Sequence, residues 1–173
     1  MRILDADYTR QINQYAVMNG TSTVTVSANA MRCSRGQVIL AGSNETNVGD
    51  ITATQATTTA NVFFAIQADY GQTTIAADTV PAGTRHLLKR LRIAMTRSTG
   101  AAGSASARVM LRRRGEAWRS IRVFEISNSA GMQADFGGGE VIPAAADYKV
   151  QCSTVSDNNT IVDALMEVRE MKE

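Results

Sequence analysis

An all-β fold, an antiparallel β-sandwich or jelly roll with a short N-terminal arm, is predicted by three observations. β-Branched residues are frequent, and Thr, Ser, Asn and Gly separate them into short runs, a mix that favours strands joined by turns. Roughly nine to eleven such runs follow one another at the 8–12-residue spacing of antiparallel sandwiches. Between Arg85 and Arg122, apolar and basic residues alternate with a period of two, which places them on opposite faces of a sheet.

Taken in order, residues 1–18 differ from the rest. They are polar, contain no Gly, and set Leu4, Tyr8, Ile12 and Tyr15 near one helical stripe. An N-terminal arm or short helix is expected here, docking on a neighbour through Tyr8, Ile12 and Tyr15; a frayed terminus is the alternative reading. Residues 19–173 are expected to form a single sandwich domain. After the turn pair Asn19-Gly20, Val24 and Val26 alternate with Thr23, Thr25 and Ser27. Met31–Leu40 reads as a second strand broken by Gly36, and Ile51–Thr59 as an exposed strand or loop. Val62–Ile66 is a short apolar strand, Asp69-Tyr70-Gly71-Gln72 a turn, Thr73–Val80 a strand, and Pro81-Ala82-Gly83 a tight bend.

Arg85–Arg97 reads as a long strand, with Leu91, Ile93 and Met95 on one side and Arg90, Arg92 and Thr96 on the other. Ser98–Ser106 is a small-residue loop. Ala107–Arg113 and Trp118–Ser127 form a hairpin about Arg114-Gly115-Glu116, again with Ala107, Val109 and Leu111 set against Arg108 and Arg112. Phe136-Gly137-Gly138-Gly139 reads as a hairpin or corner turn. Tyr148, Val150 and Cys152 alternate with Asp147, Lys149, Gln151 and Ser153, the clearest half-buried strand. Asp157-Asn158-Asn159 makes the last turn, and Ile161–Met171 fits both periods imperfectly, with strand preferred.

Charge is distributed unevenly. The Arg85–Arg122 segment holds eleven of the eighteen basic residues and one acid, Glu116, while the remaining chain holds seven basic and fifteen acidic residues. The net charge of +2 therefore combines a middle of +10 (eleven minus one) with flanks of −8 (seven minus fifteen). Arginine outnumbers lysine fifteen to three, and its planar fork and weak hydration suit interfaces with carboxylates or phosphates. Arg90, Arg92, Arg108, Arg112 and Arg122 are the expected interface residues, on an arginine face that meets acidic protein surface. A solvated face is the plain alternative. Nucleic acid is disfavoured, because single-strand binders stack bases on aromatic rings and this segment offers only Trp118 and Phe124.

Chemistry is poorly represented. The only histidine, His86, flanks a strand beside Leu87 and Leu88 and reads as a surface or packing residue. Nucleophile-elbow, zinc-protease, P-loop and dinucleotide-binding patterns are missing, and the Gly137–Gly139 run precedes Val141-Ile142-Pro143 rather than a helix N-terminus. Asp69 with Asp78, or Asp135 with Glu140, are carboxylate pairs that nothing in the sequence selects for glycosidic chemistry. Asp157-Asn158-Asn159 lacks the ladder of a calcium loop. Cys33 and Cys152, with one His, fall short of a zinc site and read as small buried hydrophobes; a disulfide requires their Cα atoms within roughly 7 Å. The sequons at Asn19, Asn44 and Asn158 matter only on a eukaryotic secretory route. No apolar run approaches the roughly 20 residues needed to span a bilayer, so no membrane association is expected, nor is a secretory signal. No cofactor, metal or catalytic residue is expected.

From Ala41 onward a series of turn motifs stands out: Ala41-Gly42-Ser43-Asn44, Asn47-Val48-Gly49-Asp50-Ile51, Tyr70-Gly71-Gln72-Thr73 and Thr79-Val80-Pro81-Ala82-Gly83-Thr84. The series continues through the long strand, the Gly/Ser/Ala loop, the Arg108-Val109-Met110-Leu111-Arg112-Arg113 strand and Ser156-Asp157-Asn158-Asn159-Thr160. In this turn punctuation the chain resembles a family of β-sandwich virion structural proteins of tailed bacteriophages. The resemblance implies a non-enzymatic cement or decoration protein of the capsid surface, made in the host cytoplasm. It would bind the major capsid protein or other virion proteins as a homo-oligomer, with a trimer expected. The other classes in view are a tail- or fibre-associated glycan-binding module and a nucleic-acid-binding virion protein.

Overall fold

The structure, a computed structural model, describes all residues other than 12–13, 19, 28–29, 42–46, 56–57, 74–75, 98–102, 128–130 and 157–159. The described residues contain strands and no helix, and divide into two compact units, Met1–Ile75 and Ala76–Glu173. The boundary expected near residue 18 falls inside the first unit.

In Met1–Ile75, β1 (Arg2–Leu4), β2 (Arg10–Gln11) and β3 (Arg32–Arg35) form one antiparallel sheet in the order β2-β1-β3. β4 (Ile51–Gln55) and β5 (Thr58–Ile66) form a hairpin. Of the two forms expected for the N-terminus, arm or short helix, the helix is not found among the described residues. Instead Asp5 folds the chain back between β1 and β2, its Oδ1 accepting from the backbone N–H of Asp7 (3.0 Å) and Thr9 (2.8 Å). An Asx-type side chain competing for local backbone donors favours such a turn over a helix. Tyr8 takes a left-handed φ of 61° in this loop. Val24 and Val26 keep their expected half-burial, without forming a strand.

Among the described residues the core of this unit is Ile3, Cys33, Phe64 and Ile66, flanked by half-buried Met1, Val26, Val38, Ile51 and Ala53. Gly36 is a close-approach glycine: a Cβ there would lie 2.5 Å from Cε2 and Cζ of Phe64. Around Asn47 three loop segments are tied together. Its amide donates to the carbonyls of Gly49 (2.9 Å) and Gln67 (2.8 Å), and its Oδ1 accepts from the N–H of Gly71 (3.0 Å).

In Ala76–Glu173, seven strands build an antiparallel β-sandwich. They are β6 (Ala77–Thr79), β7 (Thr84–Arg97), β8 (Ser104–Arg113), β9 (Arg119–Ser127), β10 (Gly131–Ile142), β11 (Ala146–Val155) and β12 (Thr160–Lys172). One sheet has the order β10-β7-β12 and the other β6-β11-β8-β9. The expected long strand, the β8–β9 hairpin and the two C-terminal strands are all present. Ser104–Ser106, expected in the small-residue loop, belong to β8; residues 98–102 lie outside the described set.

Alternation sets the core. Leu88, Leu91, Ile93 and Met95 of β7 face Ala105, Ala107, Val109 and Leu111 of β8, and Val80, Ile126, Ile142, Ala146 and Tyr148 complete the buried cluster. Removing each large apolar side chain from water is worth about 1.5–3 kcal/mol. This burial, rather than any exposed ion pair, holds the sheets together.

The expected turn at Phe136–Gly139 is instead an excursion within one strand. β10 pairs with β7 at Asp135↔Arg90 and resumes at Glu140↔Leu88, so residues 136–139 stand against Lys89 alone. Gly137 (φ 53°) and Gly139 (φ 102°) adopt backbone angles that L side chains resist, which lets the chain loop out and rejoin the same partner. Lys89 Nζ donates to the Gly137 carbonyl at 3.0 Å, and Phe136 turns back to pack on the core.

Candidate interaction surface

β7 and β8 both carry outward arginines, but they belong to different sheets. Arg90 and Arg92 therefore lie on the outer face of the three-stranded sheet, and Arg108 and Arg112 on the outer face of the four-stranded one. The single arginine face expected from the sequence is not formed. Strand periodicity fixes which residues share a side of one strand, and cannot say which strands share a sheet.

Four of the five arginines have partners within the sandwich. Arg90 Nε donates to Asp135 Oδ1 at 2.6 Å, and its Nη1 lies 3.4 Å from Glu167 Oε2. The hydrogen bond from Arg90, with a second from Gln133, holds the Asp135 carboxyl below the usual carboxylate range. Arg92 Nε donates to Gln133 Oε1 at 2.9 Å. Arg112 binds Asp147 Oδ2 through Nε (3.1 Å) and Nη2 (2.6 Å), while Thr79 Oγ1 donates to Asp147 Oδ1 at 2.7 Å. Arg122, opposite Val109 in the register, reaches across to Glu140 of β10 at 2.5 Å and so ties one sheet to the other.

Arg108 is the exception. It is exposed, like Arg113 and Arg119 at the end of the same hairpin, and none of the three bonds to a described residue. The hairpin end thus combines two unneutralised arginines, Arg113 and Arg119, with an aromatic anchor, and Arg108 lies further along β8, opposite Val123. Trp118 has Arg112 Cζ at 4.6 Å and Lys149 Nζ at 4.7 Å from its ring centroid, so both cations interact with the ring. Arg114 and Glu116 lie in the connecting turn, where Gly115 takes a φ of 78° and the Glu116 N–H donates to the Arg113 carbonyl at 3.0 Å.

The N-terminal residues divide. Tyr8 is only 2% exposed and is packed inside its own unit, so it is not presented to a partner. Tyr15 is exposed, and Ile12 lies outside the described residues. The Asn47 knot presents a further set of exposed apolar side chains, Ile39, Leu40, Val48 and Tyr70. Sequence reasoning did not single these out as exposed: Ile39 and Leu40 fell at the end of the expected Met31–Leu40 strand, and Val48 and Tyr70 in turn-rich segments that carry no periodic signal.

It also missed a buried polar chain. His86 Nδ1 lies 2.9 Å from Tyr148 Oη, and its Nε2 lies 3.3 Å from Glu170 Oε2. Tyr148 Oη donates to Asp78 Oδ2 at 3.4 Å, and the His86 and Tyr148 rings meet edge to face. The signal was present in part, since His86 has the same parity as buried Leu88. Asp78 carried none.

The other chemistry-bearing residues stay apart. Cys33 and Cys152 are free thiols, and Cys152 Sγ donates to the Thr154 carbonyl at 3.3 Å. Among the described residues no group of three or more His, Cys, Asp or Glu side chains is placed to hold a metal ion. Arg90, Arg92, Leu165, Met166 and Glu167 line a depression of about 250 Å³, below the roughly 300–1,000 Å³ of ligand pockets. No helix among the described residues is long and apolar enough to cross a membrane. Comparison of the sequence with models of protein families and with curated proteins finds no match to either.

Proposed function

We propose that the chain is a non-enzymatic structural protein of a tailed-phage particle, a cement or decoration subunit that docks on acidic surface of the capsid protein. The observation that carries the docking lies in the β8–β9 hairpin. The side chains of Arg113 and Arg119 at its end, and of Arg108 midway along β8, have no partner among the described residues, on a sandwich whose other candidate arginines are already engaged. The virion assignment draws on the sequence resemblance. Each exposed ion pair contributes only about 0–1 kcal/mol, so retention on a shell relies on many copies acting together.

Stripping particles of the protein and adding it back tests this reading. The triple variant Arg108→Glu, Arg113→Glu, Arg119→Glu is expected to rebind at least about tenfold more weakly, and Arg90→Gln with Arg92→Gln to rebind as wild type. Unimpaired rebinding by the triple variant would show that the hairpin is not the contact. The same arginines also suit a phosphate backbone, as the nucleic-acid reading requires. In that case affinity for a DNA duplex would fall with a log–log salt slope of about −0.9 per phosphate contacted, whereas docking on protein predicts no retained duplex binding. Trp118, already engaged by Arg112 and Lys149, lends no support to a glycan-binding platform.

A further inference from the structure

Three of the four sheet edges in the Ala76–Glu173 sandwich are unsuited to further pairing. β6 is three residues long. β9 has a register shift and uses its own side chains on its backbone, Ser120 Oγ donating to the Arg122 carbonyl and Arg122 Nη1 to that of Ile121. β10 is interrupted by the 136–139 excursion. Bulges, short edges and capped carbonyls are the ordinary ways by which an edge is closed.

β12 is neither short nor capped by its own side chains among the described residues, and at its one register shift, between Glu167 and Val168, the extra residue, Lys89, lies on β7. β12 runs thirteen residues, pairs with β7 from Thr160↔Arg97 to Lys172↔Thr84, and among the described residues no strand pairs with its other side. On its outer face Ile161 is 58% and Leu165 63% exposed. On its inner face Val162, Ala164, Met166 and Val168 are only half-buried. The opposing sheet ends in the three-residue β6, which is too short to cover a strand of this length. A long unpaired edge with an apolar inner face, and with exposed apolar side chains among the charges of its outer face, is a template for another strand.

The order of residues in β12 indicates which strand. Let β12 pair antiparallel with its own copy about a two-fold axis through Met166. Outward residues then meet outward residues, and inward meet inward. Asp163 lies opposite Arg169 twice, Ile161 opposite Met171 and Leu165 opposite Glu167. Inside, Ala164 lies opposite Val168 and Met166 opposite itself; Val162 faces Glu170, whose carboxylate is turned to His86. No like charges are opposed. Moving the axis to Leu165 sets Asp163 against Glu167, moving it to Glu167 opposes that residue to itself, and moving it to Val168 sets Asp163 against Glu173. Directly opposed like charges destabilise a sheet. Asp163 and Arg169 are both exposed and bond to no other described residue.

We propose that β12 is a self-association edge: two copies of this chain pair through it in the Met166 register, fusing two three-stranded sheets into one of six. The pairing is two-fold, so its unit is a dimer rather than the expected trimer, and it does not rest on the particle reading.

Sedimentation of the full chain tests the proposal. Wild type is expected to be a dimer at micromolar concentration. Asp163→Arg alone and Arg169→Asp alone should each raise the dissociation constant at least about tenfold, and the double variant should restore it to near the wild-type value. Circular dichroism checks that each variant is folded. Independently, Met166→Cys in a Cys33→Ala, Cys152→Ala background should give a disulfide-linked dimer under mild oxidation, while Asp157→Cys in that background should not. A monomeric or trimeric wild type, single variants that associate as wild type, or a double variant that stays monomeric would each overturn it.

Discussion

His86 shows how much a single strand position decides in this sandwich. At 2% exposure it stands between the sheets, with Tyr148 of β11 on one nitrogen and Glu170 of β12 on the other, and Asp78 of β6 behind Tyr148. A buried polar side chain without partners costs about 1–3 kcal/mol, so each member stabilises its neighbours mainly by sparing them that cost. Cys33 is a simpler case of the same physics. Burial in the small core of the first unit pushes its thiol up to about 11, against the opposing influence of the nearby N-terminal ammonium. Thiol reagents act on thiolate, so at pH 8 labelling followed by mass spectrometry is expected to modify Cys152 well before Cys33. The sign for stability follows from the raised value. The unfolded chain ionises Cys33 near 9.0 and the folded chain near 11, so stability is lost as pH rises through that interval. Cys33→Ala should flatten the loss, measured by denaturant unfolding at pH 8 and pH 10.5.

Elements were legible where a period of two ran unbroken and opaque where glycine intervened. Leu91–Met95, the β8–β9 hairpin and Tyr148–Cys152 could be read directly, because buried positions there alternate with side chains turned away from the core. The 136–139 excursion could not, since three successive glycines look the same whether the chain turns to a new strand or rejoins the old one. Gly36 was read as a strand break, and its role depends on a residue 28 positions later: the Phe64 ring occupies the space a Cβ would need, 2.5 Å away. Such a contact has no local signature. Gly36→Ala is expected to force the ring out of place and destabilise the Met1–Ile75 unit by about 1–3 kcal/mol. Chemical denaturation checks this, with Gly49→Ala, where nothing lies within 4 Å of the added methyl, as the control.

At the scale of the whole molecule, fold class was legible and the division into units was not. Strand spacing and composition report that sheets form, whereas a boundary at residue 75 depends on which strands share a core. The candidate arginine surface was lost for the same reason, because β7 and β8 lie in opposite sheets. Among the described residues the two cores are unequal: thirteen buried residues form a single cluster in Ala76–Glu173, against Ile3, Cys33, Phe64 and Ile66 in Met1–Ile75. Apolar burial supplies most of the favourable free energy, and a unit with a small core opens at lower cost. Amide exchange should therefore be graded by unit. Peptides from 88–95, 105–111 and 146–150 are expected to exchange last, and those from 1–11, 32–40 and 64–72 at least about tenfold faster. Mass spectrometry of the exchanging full chain reads this directly, and uniform protection across the two sets would show that the units unfold as one.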